Sequence, residues 1–159
     1  MTEQAPVIVN DPRRFPFPPA LPVVLLLVSW GLGKVLPFPV SWPLWSRYAG
    51  LVLFVVPFSL AIWASRTFHR HGTVVNPLGD VTKVVRDGPF RYTRNPMYLT
   101  LVLSYAGASL LFHLVWGLVL LPVLVLVLHF GVILREEKYL RAKFGEDYAD
   151  YQRQVRRWL

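Results

Sequence analysis

Hydrophobic residues occur in long blocks along this chain, and charged residues are concentrated in the stretches between them. The blocks cover roughly residues 20–36, 48–65 and 97–134. A helix needs about 20 mainly apolar residues to cross the hydrocarbon layer of a membrane, and the third block is long enough for two such helices. The pattern therefore predicts an all-α integral membrane protein with about four transmembrane helices.

The second and third blocks each contain a predicted interruption. The Phe112–Gly117 passage is the best place for the chain to turn, so spans 3 and 4 are predicted to form a tight hairpin. Pro57 lies within span 2 and predicts a kink, because proline removes one hydrogen bond of the helix. The chain is thus divided into an N-terminal tail (1–19), spans 1 and 2 (20–66) and a core (67–159).

Beyond the last block, apolar residues recur at helical spacing among charged ones, which predicts an amphipathic cytoplasmic helix. Gly145 is a candidate interruption of this helix. The helix either lies on the lipid surface or folds over the central loop, which covers about residues 66–94. The apolar positions are Ile133, Leu140, Phe144, Tyr148, Tyr151 and Val155.

Composition and charge narrow the class of protein. With 54% hydrophobic residues, the chain is more apolar than an ordinary soluble domain. The net charge is +8, but the basic residues flank the apolar blocks, so anionic membrane lipids explain them better than nucleic acid does. Because they concentrate in the central loop and the tail, we expect a multi-pass protein with both termini and that loop in the cytoplasm. The absence of cysteine excludes thiolate sites, and the histidine spacing predicts no metal.

Candidate chemistry begins at a polar, turn-forming stretch, Asp87–Tyr98, between the two hydrophobic halves. Asn95 and Pro96 have a structural interpretation, since asparagine is a favoured N-cap and proline a favoured first residue of a helix. The same helix start offers unpaired N–H groups to a polar ligand at the membrane edge. Arg94 either extends to lipid headgroups or takes part in a site.

Two glutamates, Glu136 and Glu137, stand where span 4 leaves the membrane. On a solvated surface Glu137 would pair with Arg141 at i,i+4. The helical stripe instead places Glu137 on the apolar face, where an inward carboxylate needs a partner such as Arg94 or a cationic ligand. His129, two turns earlier, is either a neutral histidine bonded to a neighbouring helix or part of the chemistry.

Two blocks of sequence resemble the membrane methyltransferases of the isoprenylcysteine carboxyl methyltransferase family, which is related to the phospholipid methyltransferases. The first block is Val84–Tyr98, with Gly-Pro-Phe followed by Arg-Asn-Pro-Met-Tyr. The second holds Glu-Glu-Lys-Tyr-Leu at 136–140 and Phe-Gly-Glu-Asp-Tyr at 144–148. The resemblance implies a transferase that uses S-adenosyl-L-methionine and methylates the carboxylate of an isoprenylcysteine, or another prenylated or lipophilic acceptor.

The resemblance also assigns roles to residues of this chain. The predicted cofactor-binding residues are Thr82, Lys83, Val84, Val85, Phe90, Asn95, Pro96, Met97 and Tyr98. The predicted catalytic residues are Glu136, Glu137 and Arg94, and the predicted substrate-binding residues are Glu136, Arg135 and His129. Methyl transfer depends more on orientation than on acid or base strength, and carboxylates complement a positive sulfur, so this residue set suits the chemistry.

Three positions depart from the family pattern and keep other functions open. Asn95 replaces a commoner histidine, Thr100 replaces a glycine, and Val132 replaces an arginine that holds the substrate carboxylate, for which Arg135 or Arg94 would have to compensate. The alternatives are N-methylation of a phospholipid amine and a non-enzymatic membrane protein that retains the scaffold. A nicotinamide-dependent reductase is disfavoured, because the sequence has no glycine-rich dinucleotide loop.

Overall fold

A computed structural model describes residues 18–72 and 83–159, and within these ranges the ordered elements are all helical. Most of the predicted tail and Thr82 lie outside the described residues. The α-helices are α1 (Ala20–Val35), α2 (Trp45–Val55), α3 (Pro57–Arg70), α4 (Pro96–Leu111), α5 (Val115–Leu126), α6 (Leu134–Phe144) and α7 (Glu146–Gln154). A single 3₁₀ turn, Gly88–Arg91, precedes α4, and a π-helical segment, Val127–Ile133, joins α5 to α6.

Among the described residues, two continuous helical stretches are long and apolar enough to cross a membrane, Trp45–Arg70 and Val115–Phe144. The first combines α2 and α3, which meet at Val56, directly before the proline at which the sequence predicts a kink. The other two apolar helices, α1 and α4, have 16 residues each, which gives about 24 Å at 1.5 Å per residue. The described residues are therefore all-helical, as predicted, with two candidate membrane-spanning helices, while the count of four crossings stays a prediction.

Helix α4 is the centre of the packing, because it contacts α2 and α3 on one side and α5 on another. Its hydroxyl groups support the break at Pro57: Thr100 Oγ1 donates to the Pro57 carbonyl oxygen and Ser104 Oγ donates to that of Phe54, both at 3.1 Å. Between α4 and α5 the chain turns through three residues, Phe112–Leu114, within the predicted passage.

Two apolar clusters, which we call the upper and the lower cluster, hold the helices together. The upper cluster packs α5 and the π-helical segment against α4 through Tyr105, Leu124, Leu128 and Val132. The lower cluster joins α3, the central loop and α7 through Ala64, Val85, Phe90, Tyr148 and Tyr151. Large apolar side chains remain exposed along α1, α2 and α3, as expected for surfaces that face lipid.

The α2–α4 contact depends on glycine. A Cβ atom at Gly107 would overlap backbone atoms of Leu53 and Phe54, whereas a Cβ atom at Gly33 in α1 would have no atom within 4 Å. Because backbone cannot move aside as a flexible side chain can, we expect Gly107→Ala to lower the free energy of unfolding by about 1–3 kcal/mol. Gly33→Ala is the matched control and should be neutral or stabilising by up to about 1 kcal/mol. Thermal unfolding in detergent measures both, and equal midpoints for the two variants would contradict this packing.

Candidate functional site

Helix α6, which carries Glu136 and Glu137, is followed by an interruption at Gly145, as the sequence predicts. Gly145 has φ +55°, a conformation that glycine adopts at no steric cost, and it separates α6 from α7. Helix α7 then packs on the central loop, where Tyr151 Oη donates to the Phe90 carbonyl oxygen at 2.8 Å and Arg86 pairs with Asp147. Of the two predicted arrangements, the structure therefore has the one in which this helix folds over the loop.

After α7, residues 155–159 run across the start of α4, and we call them the 155–159 segment. The Arg94 backbone N–H donates to the Arg156 carbonyl oxygen at 3.0 Å. The Arg157 carbonyl oxygen accepts two hydrogen bonds, from Asn95 Nδ2 at 2.9 Å and from Thr93 Oγ1 at 3.3 Å. The segment is thus fastened to the Thr93–Asn95 stretch by three hydrogen bonds.

These bonds define the role of the Asn95 side chain. Helix α4 begins with Pro96 at its first position and Asn95 before it, as predicted, but the Asn95 side chain makes no capping bond. Its amide donates to Arg157 instead, and its backbone N–H donates to Thr93 Oγ1 at 3.1 Å. Asn95 is thus the N-cap residue, as predicted, but its side chain binds a carbonyl acceptor of the 155–159 segment instead of the helix.

Glu137 is buried, with 7% of its surface exposed, so its predicted inward orientation is confirmed. Arg157 binds both carboxylate oxygens, Nε to Oε1 at 2.9 Å and Nη2 to Oε2 at 2.8 Å. Arg94 Nη2 lies 3.2 Å from Oε1, and Gln152 Nε2 lies 3.4 Å from Oε2. The contact with Glu137 raises the pKa of Arg157 above its ordinary value. The solvated alternative, an ion pair between Glu137 and Arg141, is absent from the contacts of the described residues, and Arg141 is exposed.

Glu136 connects the two sequence blocks directly. Tyr98 Oη, in the first turn of α4, donates to Glu136 Oε1 at 2.6 Å. Both residues are partly buried. A carboxylate that accepts such a bond is held in one orientation, beside the start of the helix that carries Asn95 and Pro96.

His129 lies in the π-helical segment between α5 and α6. Trp158 Nε1 donates to its Nδ1 at 3.2 Å. Arg157 Nη1 lies 3.5 Å from its Nε2. His129 is therefore hydrogen-bonded, as its structural interpretation requires, although the 155–159 segment and not a neighbouring helix supplies the partner. Single-turn π segments recur at functional sites.

All four charged groups of the site act on one phenol, that of Tyr148. Burial raises the pKa of Tyr148, Glu137 and Glu136 raise it further, and Arg94 and Arg157 lower it. Burial also raises the pKa of Tyr151 on the same helix. The two glutamates and two arginines thus all influence the pKa of one phenol on α7.

The other predicted residues divide into two groups. Val85, Phe90 and Pro96 are buried, and Val84 and Met97 pack beside the lower cluster, so they line the region between the loop and α7. Lys83 and Arg135 are exposed. Val132, the position of the missing arginine, is 5% exposed and lies in the upper cluster.

Sequence reasoning missed the contribution of the 155–159 segment. Arg157 and Trp158 contact Glu137 and His129, and Gln152 adds a further bond to Glu137. The available signal was the need of an inward carboxylate for a cation, together with the Arg-Arg-Trp run at 156–158.

Comparison with known proteins agrees with the two blocks. Residues 45–147 match the model of the phospholipid methyltransferase family, which takes in α2 to the first residues of α7. An uncharacterised protein of Haemophilus influenzae is 42% identical over 65 residues, which are 40% of this chain and the whole of that relative. No solved structure matches the chain. The matched range includes Asn95, Tyr98 and Glu136, and it ends before Arg157.

Removing the charge of Glu137 should destabilise the protein, because Arg157 and Arg94 would then face a neutral amide. We expect Glu137→Gln to lower the free energy of unfolding by about 2–3 kcal/mol, less than for a fully enclosed pair because the Arg157 side chain is 32% exposed. Glu146→Gln is the control, since the Glu146 side chain is 87% exposed. Denaturant unfolding in detergent compares the two variants, and an equally small loss in both would refute the importance of the buried pair.

Proposed function

Because this chain belongs to the phospholipid methyltransferase family, we propose that it transfers a methyl group from S-adenosylmethionine to a lipid acceptor in the membrane. The observation that carries the proposal is the 2.6 Å hydrogen bond from Tyr98 to Glu136. It joins the start of α4 to the start of α6, the two places where the sequence resembles membrane methyltransferases. Family membership makes the protein a membrane methyltransferase, and the cofactor and acceptor are our proposals.

The residues present fit S-adenosylmethionine. Val85 and Phe90 are buried apolar side chains of the central loop, suited to an adenine ring, and Val84 and Met97 lie beside them. The first turn of α4 offers backbone N–H groups that have no partner within the helix. Arg94 Nε is buried and has no acceptor, so it can donate to the carboxylate of the cofactor. Thr82, Lys83, Asn95, Pro96 and Tyr98 complete the proposed binding set.

Glu136 is the proposed catalytic carboxylate. S-adenosylmethionine supplies a methyl group carried on a positively charged sulfur, and a carboxylate fixed nearby complements that charge. Tyr98 keeps Glu136 in one orientation through its hydrogen bond. Glu137 has a different proposed role. Because it is paired with Arg157 and Arg94, it stabilises the arrangement of the site and does not take part in the reaction.

For the acceptor, the arrangement favours a phospholipid amine. An ammonium group must lose a proton before it can accept a methyl group, and Glu136 is a carboxylate placed to take that proton. The carboxylate of an isoprenylcysteine would instead need a cation, and the position that would supply it is Val132, buried among apolar side chains. Carboxyl O-methylation is the second candidate, with Arg94 and its free Nε–H as the cation; Arg135 and His129 are the remaining proposed substrate contacts.

The proposed membrane placement puts this site at the cytoplasmic surface. In it α1, the α2–α3 pair, α4 and α5 are the four crossings, and α6 and α7 lie in the cytoplasm. Basic residues at the C-terminal end of α3 and along α6 support this orientation through the positive-inside rule. The acceptor then enters from the lipid and the cofactor from the cytosol.

A methyl-transfer assay tests the proposal. Purified protein is placed in liposomes with S-adenosylmethionine labelled on its methyl group, and with either phosphatidylethanolamine or a farnesylcysteine analogue. We expect label in the phospholipid, because Glu136 can deprotonate its amine. Label only in the farnesylcysteine analogue would favour the second candidate. If neither acceptor is labelled and calorimetry detects no binding of S-adenosylhomocysteine, the protein is a non-enzymatic member of its family.

A single hydroxyl group provides a sharper test of the site. Tyr98→Phe removes the bond that orients Glu136 towards the positive sulfur of the cofactor. A hydrogen bond to a charged group is worth about 1.5–3 kcal/mol, so the affinity for S-adenosylmethionine should fall about 10- to 100-fold. Tyr92→Phe is the matched control, since Tyr92 is 66% exposed. Calorimetry measures the cofactor affinity of both variants, and equal affinities would show that Tyr98 and Glu136 do not belong to the cofactor site.

A further inference from the structure

Resting on the proposed function, we propose that Arg157 is a positioning residue that holds the two walls of the cofactor site in register. One wall is the loop before α4, with Asn95, and the other is the start of α6, with Glu136 and Glu137. Arg157 contacts both walls at once, with its main chain on the first and its side chain on the second.

The main-chain contact fixes the first wall. The Arg157 carbonyl oxygen accepts from Asn95 Nδ2 at 2.9 Å and from Thr93 Oγ1 at 3.3 Å. The neighbouring Arg156 carbonyl oxygen accepts the Arg94 N–H at 3.0 Å. Asn95 immediately precedes the helix whose first turn carries Tyr98, so these bonds set where that turn begins.

The side-chain contact fixes the second wall. The Arg157 guanidinium makes two parallel hydrogen bonds to Glu137, at 2.9 and 2.8 Å, and Glu137 is the residue next to Glu136 on α6. Without it, Glu137 would keep only the longer contacts with Arg94 at 3.2 Å and Gln152 at 3.4 Å. The bidentate pair therefore limits the rotation of the helix turn that presents Glu136 to Tyr98.

The residues on either side of Arg157 anchor it to both apolar clusters. Val155 packs against the lower cluster, and Trp158 packs against the upper one while donating to His129. These two contacts therefore fix the position of the 155–159 segment along the helices. Arg157 acts on the reaction through Asn95 and Glu137, and it needs no contact with the acceptor.

Geometry as well as charge is required at this position. A lysine keeps the positive charge but presents a single ammonium that cannot make the planar two-bond contact with a carboxylate. Arg157→Lys should therefore retain part of the methyl-transfer activity that Arg157→Ala loses. Arg153→Ala is the charge-matched control, because the Arg153 side chain is 65% exposed on α7 and pairs with Asp150.

The experiment measures methyl transfer to phosphatidylethanolamine per folded protein for the wild type and these three variants. We expect Arg157→Ala to lower kcat about 100-fold, the size expected when reacting groups are misplaced by about 1 Å. The KM for the phospholipid should stay near its wild-type value, Arg157→Lys should be intermediate, and Arg153→Ala should match the wild type. Wild-type kcat in Arg157→Ala, or no rescue by lysine, would overturn the proposal.

A second measurement works even if Arg157→Ala does not fold. The chain has no cysteine, so Leu159→Cys, at an exposed residue of the 155–159 segment, gives a unique spin-label position. We expect an ordered label with Arg157 present and a mobile one in the Arg157→Lys background; equal mobility in both would contradict the role of Arg157. A wild type without cofactor binding would refute the proposed function instead, while the label would still report on the segment.

Discussion

The burial of one carboxylate, that of Glu137, is the constraint on which the rest of this structure depends. A charged group removed from water must be paired, because its desolvation otherwise outweighs the packing it gains. The chain pairs it with Arg94 from the central loop and Arg157 from the 155–159 segment. Two separate stretches are thereby attached to the end of the long α5–α6 helix, at the level where Tyr98 meets Glu136.

Apolar packing acts in the same direction as this ionic cluster. Helix α7 covers the loop with Tyr148 and Tyr151, and the phenol of Tyr151 satisfies a loop carbonyl that would otherwise be buried without a donor. In a membrane protein, packing outside the lipid is the part driven by exclusion of water, since helices within lipid gain little from apolar contact alone. In the proposed membrane placement, the hydrophobic effect and the ion pairs therefore both stabilise the site.

Local signals in the sequence predicted most of the helices and part of the site. Block length predicted the apolar helices, Gly145 predicted the interruption of the C-terminal helix, and the stripe through Ile133 predicted an inward Glu137. The partner Arg157 was not predictable in this way, since it lies 20 residues along the chain and approaches only after the chain has turned at Gly145. The side-chain partner of Asn95 was not predictable for the same reason, because a capping preference is local and the carbonyl group comes from a distant segment.

The π-helical segment at Val127–Ile133 determines the rotation of α6 about its own axis relative to α5. Each residue of an α-helix turns the chain by about 100°, so one residue more or fewer in this segment would swing α6 by that angle relative to α5. Glu136 and Glu137 would then point away from Tyr98 and Arg94 although their own sequence was unchanged. The number of residues in this stretch therefore determines which way the two glutamates of the site point.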